Sequence, residues 1–117
     1  MTSLELAKEA VKVLDDKKAL DLKIIGIKDI SVLADYFVLA TGTSSTQVKA
    51  LADETEVRLK QLGISPLHTE GYRSNSWIIL DYSNVIIHIF TTESRQFYDL
   101  DRLWQDGEAV TVPGIIE

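Results

Sequence analysis

The chain has 117 residues, a length that suits one domain with a core that needs no covalent staples. It contains no cysteine, which excludes disulfides, thiolate metal sites and a catalytic thiol. The formal net charge is −6, whereas a protein that grips phosphates needs a basic face; an acidic chain suits a basic protein partner better, while on charge alone the simpler reading is that it keeps the protein soluble.

Residues 1–20 mix acids, bases and apolar residues. They have neither the apolar core of a signal peptide nor the acid-poor composition of a transit peptide. No apolar run approaches membrane-spanning length. A cytoplasmic location with no membrane partner is therefore expected. The pair Lys17-Lys18 is the one basic cluster, so strong direct nucleic-acid binding is not expected.

The first predicted element is a helix over residues 3–19. Thr2 and Glu5 have capping-box spacing, and Leu6, Ala10, Val13, Leu14 and Lys17 share a stripe. Residues 22–30, rich in isoleucine, read as a strand. Residues 36–41 are nearly all apolar and read as a central strand, covered on both faces.

Gly42, Thr43 and Ser44 break the pattern. Ser44 and Gln47 have capping-box spacing for a second helix, along which Val48, Leu51, Ala52, Thr55, Leu59 and Leu62 recur at helical spacing. Gly63 stands at its C-cap, and Pro66 stops it. Residues 64–70 predict a short extended segment at a sheet edge, and residues 71–76 a polar loop. Residues 77–82 and 85–90 are strands joined by Ser83-Asn84 in a tight hairpin. Residues 92–104 predict one or two short helices, and residues 107–117, with Pro113-Gly114, an irregular tail. The result is a mixed α/β sheet of about five strands with flanking helices, in one domain. The second strand, second helix and third strand suggest a right-handed crossover.

A two-residue turn sets the hairpin register. Asp81 then pairs with Ile86, Ile79 with His88, and Trp77 with Phe90. Ile78, Leu80, Tyr82, Val85, Ile87 and Ile89 share one face, almost purely apolar, which should pack under helices. The other face carries Trp77, Ile79, Asp81, Ile86, His88 and Phe90. Aromatic residues with isolated polar groups are typical of recognition surfaces. A covering tail or last helix would instead make Trp77 and Phe90 ordinary core. Asp81 favours recognition, because burying an unpaired carboxylate is costly. In the last helix, Phe97, Leu100 and Trp104 are spaced as core residues, and Arg95 and Tyr98 are candidates for the recognition face. Arg95 could instead pair with Glu93 or Asp99.

Other chemistry has weaker support. Gly42-Thr43-Ser44 before a helix could cradle a phosphate, but it lacks the Gly-Lys-Ser/Thr ending of a Walker A loop and reads more simply as a helix cap. Asp53, Glu54 and Glu56 lie mostly off an apolar helix stripe, as a solvated face would. His68 and His88 lack further ligands at metal-site spacing. His68 is expected in a loop, and His88 at an interface or within the sheet. No cofactor or metal is expected, and an enzyme is not.

Several segments in order resemble the Iojap-like ribosomal silencing factors. They are Asp29-Ile30 followed by Asp35-Tyr36-Phe37-Val38-Leu39-Ala40-Thr41-Gly42-Thr43-Ser44, Glu70-Gly71 with Trp77-Ile78-Ile79-Leu80-Asp81-Tyr82, Val85-Ile86-Ile87-His88-Ile89-Phe90, and Arg95-Gln96-Phe97-Tyr98-Asp99-Leu100 with Leu103-Trp104. The likeness covers about residues 4–105. It implies a nucleotidyltransferase-like fold without transferase activity. It also implies docking on large-subunit ribosomal protein fourteen, which would block small-subunit joining and lower translation when nutrients are scarce. The binding positions it implies are Trp77, Asp81, Tyr82, His88 and Tyr98, with the Tyr82 ring exposed at the hairpin tip despite its parity. That family tends to have Gly-Asp where Ser83-Asn84 stand, and a glycine near Asn75 or Ser76. The same aromatic face would also serve a homodimer of the free protein.

Overall fold

The computed structural model describes residues 1–117. Helix α1 (Ser3–Asp16) is opened by Thr2, whose side chain and that of Glu5 form the reciprocal capping box. It ends before residue 19 because Lys18 turns left-handed (φ 65°) and the Ala19 N–H reaches back to the Leu14 carbonyl. Strand β1 (Leu20–Gly26) leads to β2 (Tyr36–Gly42). β1 starts and stops earlier than expected. Ile27 is buried outside any strand, and Ile30 is exposed in the connecting loop.

Helix α2 (Ser45–Gln61) follows, capped by the Ser44 side chain and ended before Gly63, which adopts φ 83°. β3 (His68–Glu70), β4 (Trp77–Asp81) and β5 (Val85–Thr91) come next, then α3 (Thr92–Tyr98), α4 (Leu100–Leu103) and β6 (Glu108–Val110). His68 thus opens an edge strand and does not lie in a loop. At the turn before β4, a Cβ on Gly71 would lie 1.9 Å from the Trp77 carbonyl oxygen, so only glycine fits.

The six strands form one mixed sheet in the order β3-β4-β5-β2-β1-β6. Only β2 and β5 pair in parallel; the other neighbours are antiparallel. The α2 crossover from β2 therefore returns to the sheet's far edge. There β3, antiparallel to β4, runs in the same direction as β2, so the expected crossover joins parallel strands, with β5 and β4 lying between them.

The tail is also more ordered than expected. β6 pairs with β1, and Val112 enters the main core. Glu108-Ala109-Val110 is too short to show a period, and its partner lies far away in sequence. Gly107 allows the close approach: a Cβ there would meet Ile25 Cγ2 at 2.4 Å and the Gly26 carbonyl oxygen at 2.8 Å.

α1 and α2 cover one face of the sheet. Leu6, Val11 and Leu14 of α1 and Val48, Leu51 and Leu59 of α2 meet Ile78, Leu80, Val85, Ile87 and Ile89 there. The expected hairpin register is present, with Trp77 opposite Phe90, Ile79 opposite His88 and Asp81 opposite Ile86. The opposite face holds a smaller cluster of Ile25, Ile27, Ala34, Phe37, Leu39, Phe90 and Leu100.

Candidate protein-docking surface

The chain after β5 covers only part of the second face. Leu100 is buried, and Trp104 meets Phe37 edge-on at 5.3 Å over β1 and β2. β4 and the start of β5 keep Trp77, Ile79, Asp81 and Ile86 half-buried. Residues paired across antiparallel strands share a face, so Glu70 beside Ile79 and His68 beside Asp81 add a charged margin.

Trp77 is held from several sides. Its ring stacks on Phe90 at 5.1 Å and lies 4.5 Å from Tyr98 of α3. Its indole N–H donates to His88 Nδ1 at 3.1 Å. Tyr98 in turn meets Phe97 edge-on at 5.0 Å. Phe97 is 81% exposed and Leu103 69% exposed, and Tyr98 carries half its surface into solvent. With Arg102, Asp99 and Gln105 these residues line an open groove that continues the Trp77 surface.

The expected positions divide into two groups. Trp77, Asp81 and Tyr98 reach the surface. Tyr82 does not: its ring is 7% exposed and lies in the main core, against the expectation of an exposed tip. Parity decides here, because Tyr82 is on the helix-covered face. Its hydroxyl has no hydrogen-bond partner, and burial pushes its pKa well up. His88 is 6% exposed. Burial, with a smaller push from Arg95, lowers its pKa to about 4.

Asp81 is not an unpaired carboxylate. It accepts the Ser83 backbone N–H at 2.7 Å and lies 3.5 Å from His68 Nδ1. The Asn84 N–H donates to the Tyr82 carbonyl at 3.0 Å, closing a three-residue turn around Ser83 at φ 73°. Ser83 carries a left-handed backbone, the conformation that glycine adopts most readily. Asn75 also adopts it, at φ 57°.

Arg95 pairs with neither Glu93 nor Asp99. Its guanidinium grips Asp101 through Nε at 2.8 Å and Nη2 at 3.0 Å, and donates to Thr41 Oγ1 at 2.9 Å. These bonds, with Lys23 nearby, hold the Asp101 carboxyl far below its usual range. Arg95 therefore fastens the last helices to the sheet and is not free for a partner. Phe97 departs from the core role expected of it. α3 ends at the left-handed Asp99 (φ 50°), so the helical spacing that joined Phe97 to Leu100 and Trp104 does not continue. Phe97 and Leu103 are surface residues that spacing assigned wrongly or did not single out.

The turn before α2 is self-capped. Gln47 Oε1 accepts from the Thr43 backbone N–H at 2.6 Å and from Thr43 Oγ1 at 2.8 Å. An incoming phosphate would have to displace it.

A family model described as "Ribosomal silencing factor during starvation" matches residues 1–117. The chain belongs to the ribosomal silencing factor family. Ribosomal silencing factor RsfS of Halalkalibacterium halodurans is 36% identical over 116 residues, covering 99% of both chains. The Bacillus subtilis protein of the same name is 34% identical over 107 residues, 92% of this chain and 91% of its own. A crystal structure of a Chromobacterium violaceum protein superposes with a TM-score of 0.87 at 31% identity, covering 100% of this chain and 98% of that one. The family is named for silencing, not for a catalysed reaction. No helix of this member is long and apolar enough to cross a membrane.

Proposed function

We propose that this ribosomal silencing factor is a non-enzymatic, cytoplasmic regulator that docks on the large ribosomal subunit and keeps the small subunit from joining. Its contact there is large-subunit ribosomal protein fourteen. Mutual exclusion is the whole mechanism: the bound chain fills space that the other subunit needs, and no bond is made or broken. Its use when nutrients are scarce follows from the starvation role in the family's description.

One observation carries the docking part. Trp77, which shares its sheet face with Ile79 and Ile86, packs on Tyr98, and Tyr98 lines a groove with Phe97 and Leu103 of the last helices, leaving apolar side chains partly exposed on an acidic protein. Aromatic anchors with a charged margin are the usual anatomy of a protein interface, and the acidic chain suits a basic partner.

The test is a joining assay with purified subunits. Large subunits preincubated with the protein should give fewer joined ribosomes in a sucrose gradient, in proportion to occupancy. Full joining by large subunits that carry the protein would refute steric exclusion.

A further inference from the structure

Trp77 and His88 are diagonal neighbours on β4 and β5, their rings 5.9 Å apart and inclined by 34°. The indole N–H is a donor only, so the ring nitrogen it meets must offer a lone pair. His88 Nδ1 at 3.1 Å is that acceptor, and the neutral ring then carries its proton on Nε2. Phe37 packs edge-on to the imidazole at 4.8 Å, and Phe90 stacks on it at 6.0 Å. The imidazole is thus clamped while the indole still reaches the surface.

We propose that His88 is a positioning residue for docking: it takes the indole N–H of Trp77 on the inner side, so that Trp77 presents an apolar ring in one fixed orientation. The proposal rests on the docking reading above and reassigns His88 within it from contact to support. An indole whose N–H is bonded to water must lose that water when a partner covers it. An indole already bonded from beneath loses nothing of the kind and has fewer orientations to give up. Tyr98, its ring 4.5 Å from the indole, adds a further contact that holds it.

The experiment is a double-mutant cycle on affinity for purified large subunits, using His88→Leu and Trp77→Phe singly and together. A Trp77 indole N–H signal in a ¹H–¹⁵N spectrum accompanies each variant that keeps the tryptophan. His88→Leu should weaken binding about 3- to 10-fold, the range of one hydrogen bond. It should also shift the indole signal and speed its exchange with water. In the Trp77→Phe background, where no indole N–H exists, His88→Leu should cost nothing further. His88→Asn, whose amide oxygen can stand near the Nδ1 position, should restore much of the affinity.

Equal losses from His88→Leu in both backgrounds would overturn the proposal, because His88 would then act independently of the indole. An unmoved, protected indole signal in His88→Leu would overturn it too, whether or not that variant binds. If the unaltered protein itself fails to bind large subunits, the docking reading falls and this proposal with it. Binding by the unaltered protein with no coupling in the cycle removes the proposal alone.

Discussion

Tyr82 and Trp77 lie at the two ends of one short stretch of β4 and its turn, and they face opposite ways. Tyr82 is under the helices, its ring in the core and its hydroxyl without a partner. Trp77 is on the other side, its N–H bonded inward and its ring only partly covered. The first aromatic holds the domain together and the second is available to something outside it. The same residue class therefore carries two roles, and strand parity separates them.

Substitutions should divide along that line. The largest effect is expected for Tyr82→Ala, which should lose about 3–5 kcal/mol of stability in urea unfolding, so any loss of docking would follow from unfolding. Lowering the pH comes next. Burial holds folded His88 at a pKa of about 4, below its ordinary 6.5, so between these values the unfolded chain binds more protons. Stability should fall as pH drops through that window, by roughly 3 kcal/mol once pH is below both. Asp101, held far below its usual range by Arg95, should add a further loss in stronger acid. Urea unfolding from pH 7 down to pH 4 checks the sign, and His88→Leu should remove the histidine part.

The other face should behave differently. Trp77→Ala should weaken large-subunit binding by about 2 kcal/mol or more, roughly 30-fold, while the domain still melts cooperatively. Phe97→Ser should change stability by less than about 0.5 kcal/mol and still reduce binding measurably. The smallest effect is expected for Tyr82→Phe, which removes a buried hydroxyl that bonds nothing. It should be neutral or stabilising by up to about 1 kcal/mol, with binding unchanged. A Tyr82→Phe variant that folds but fails to dock would break the division between the faces.

Local patterns made much of this fold legible. The Thr2–Glu5 cap, the Gly63 stop and the hairpin pairs all depend on neighbours a few residues apart, and each is present in the structure. The parallel β2–β5 pair and the β6 edge depend on contacts distant in sequence, which no local period encodes. The proposed docking face was legible in part. Alternation put Trp77 and Asp81 on the half-covered side of the sheet, where the structure has them, and the same alternation placed Tyr82 inward, against the role its motif suggested. Phe97 was misplaced because a left-handed Asp99 interrupts the helix and resets its phase. The burial of His88 depends on Phe37 and Phe90 packing around it, which residue type alone does not convey.

The central claim is that the half-covered face, and not the helical one, meets the large subunit. The most direct test is sedimentation of separated ribosomal subunits with three forms of the protein: unaltered, Trp77→Ala, and Val57→Ser on the exposed side of α2. The unaltered and Val57→Ser proteins should travel with large subunits alone, and folded Trp77→Ala should remain at the top of the gradient. Trp77→Ala travelling with large subunits as the unaltered protein does, or Val57→Ser failing to, would contradict the account.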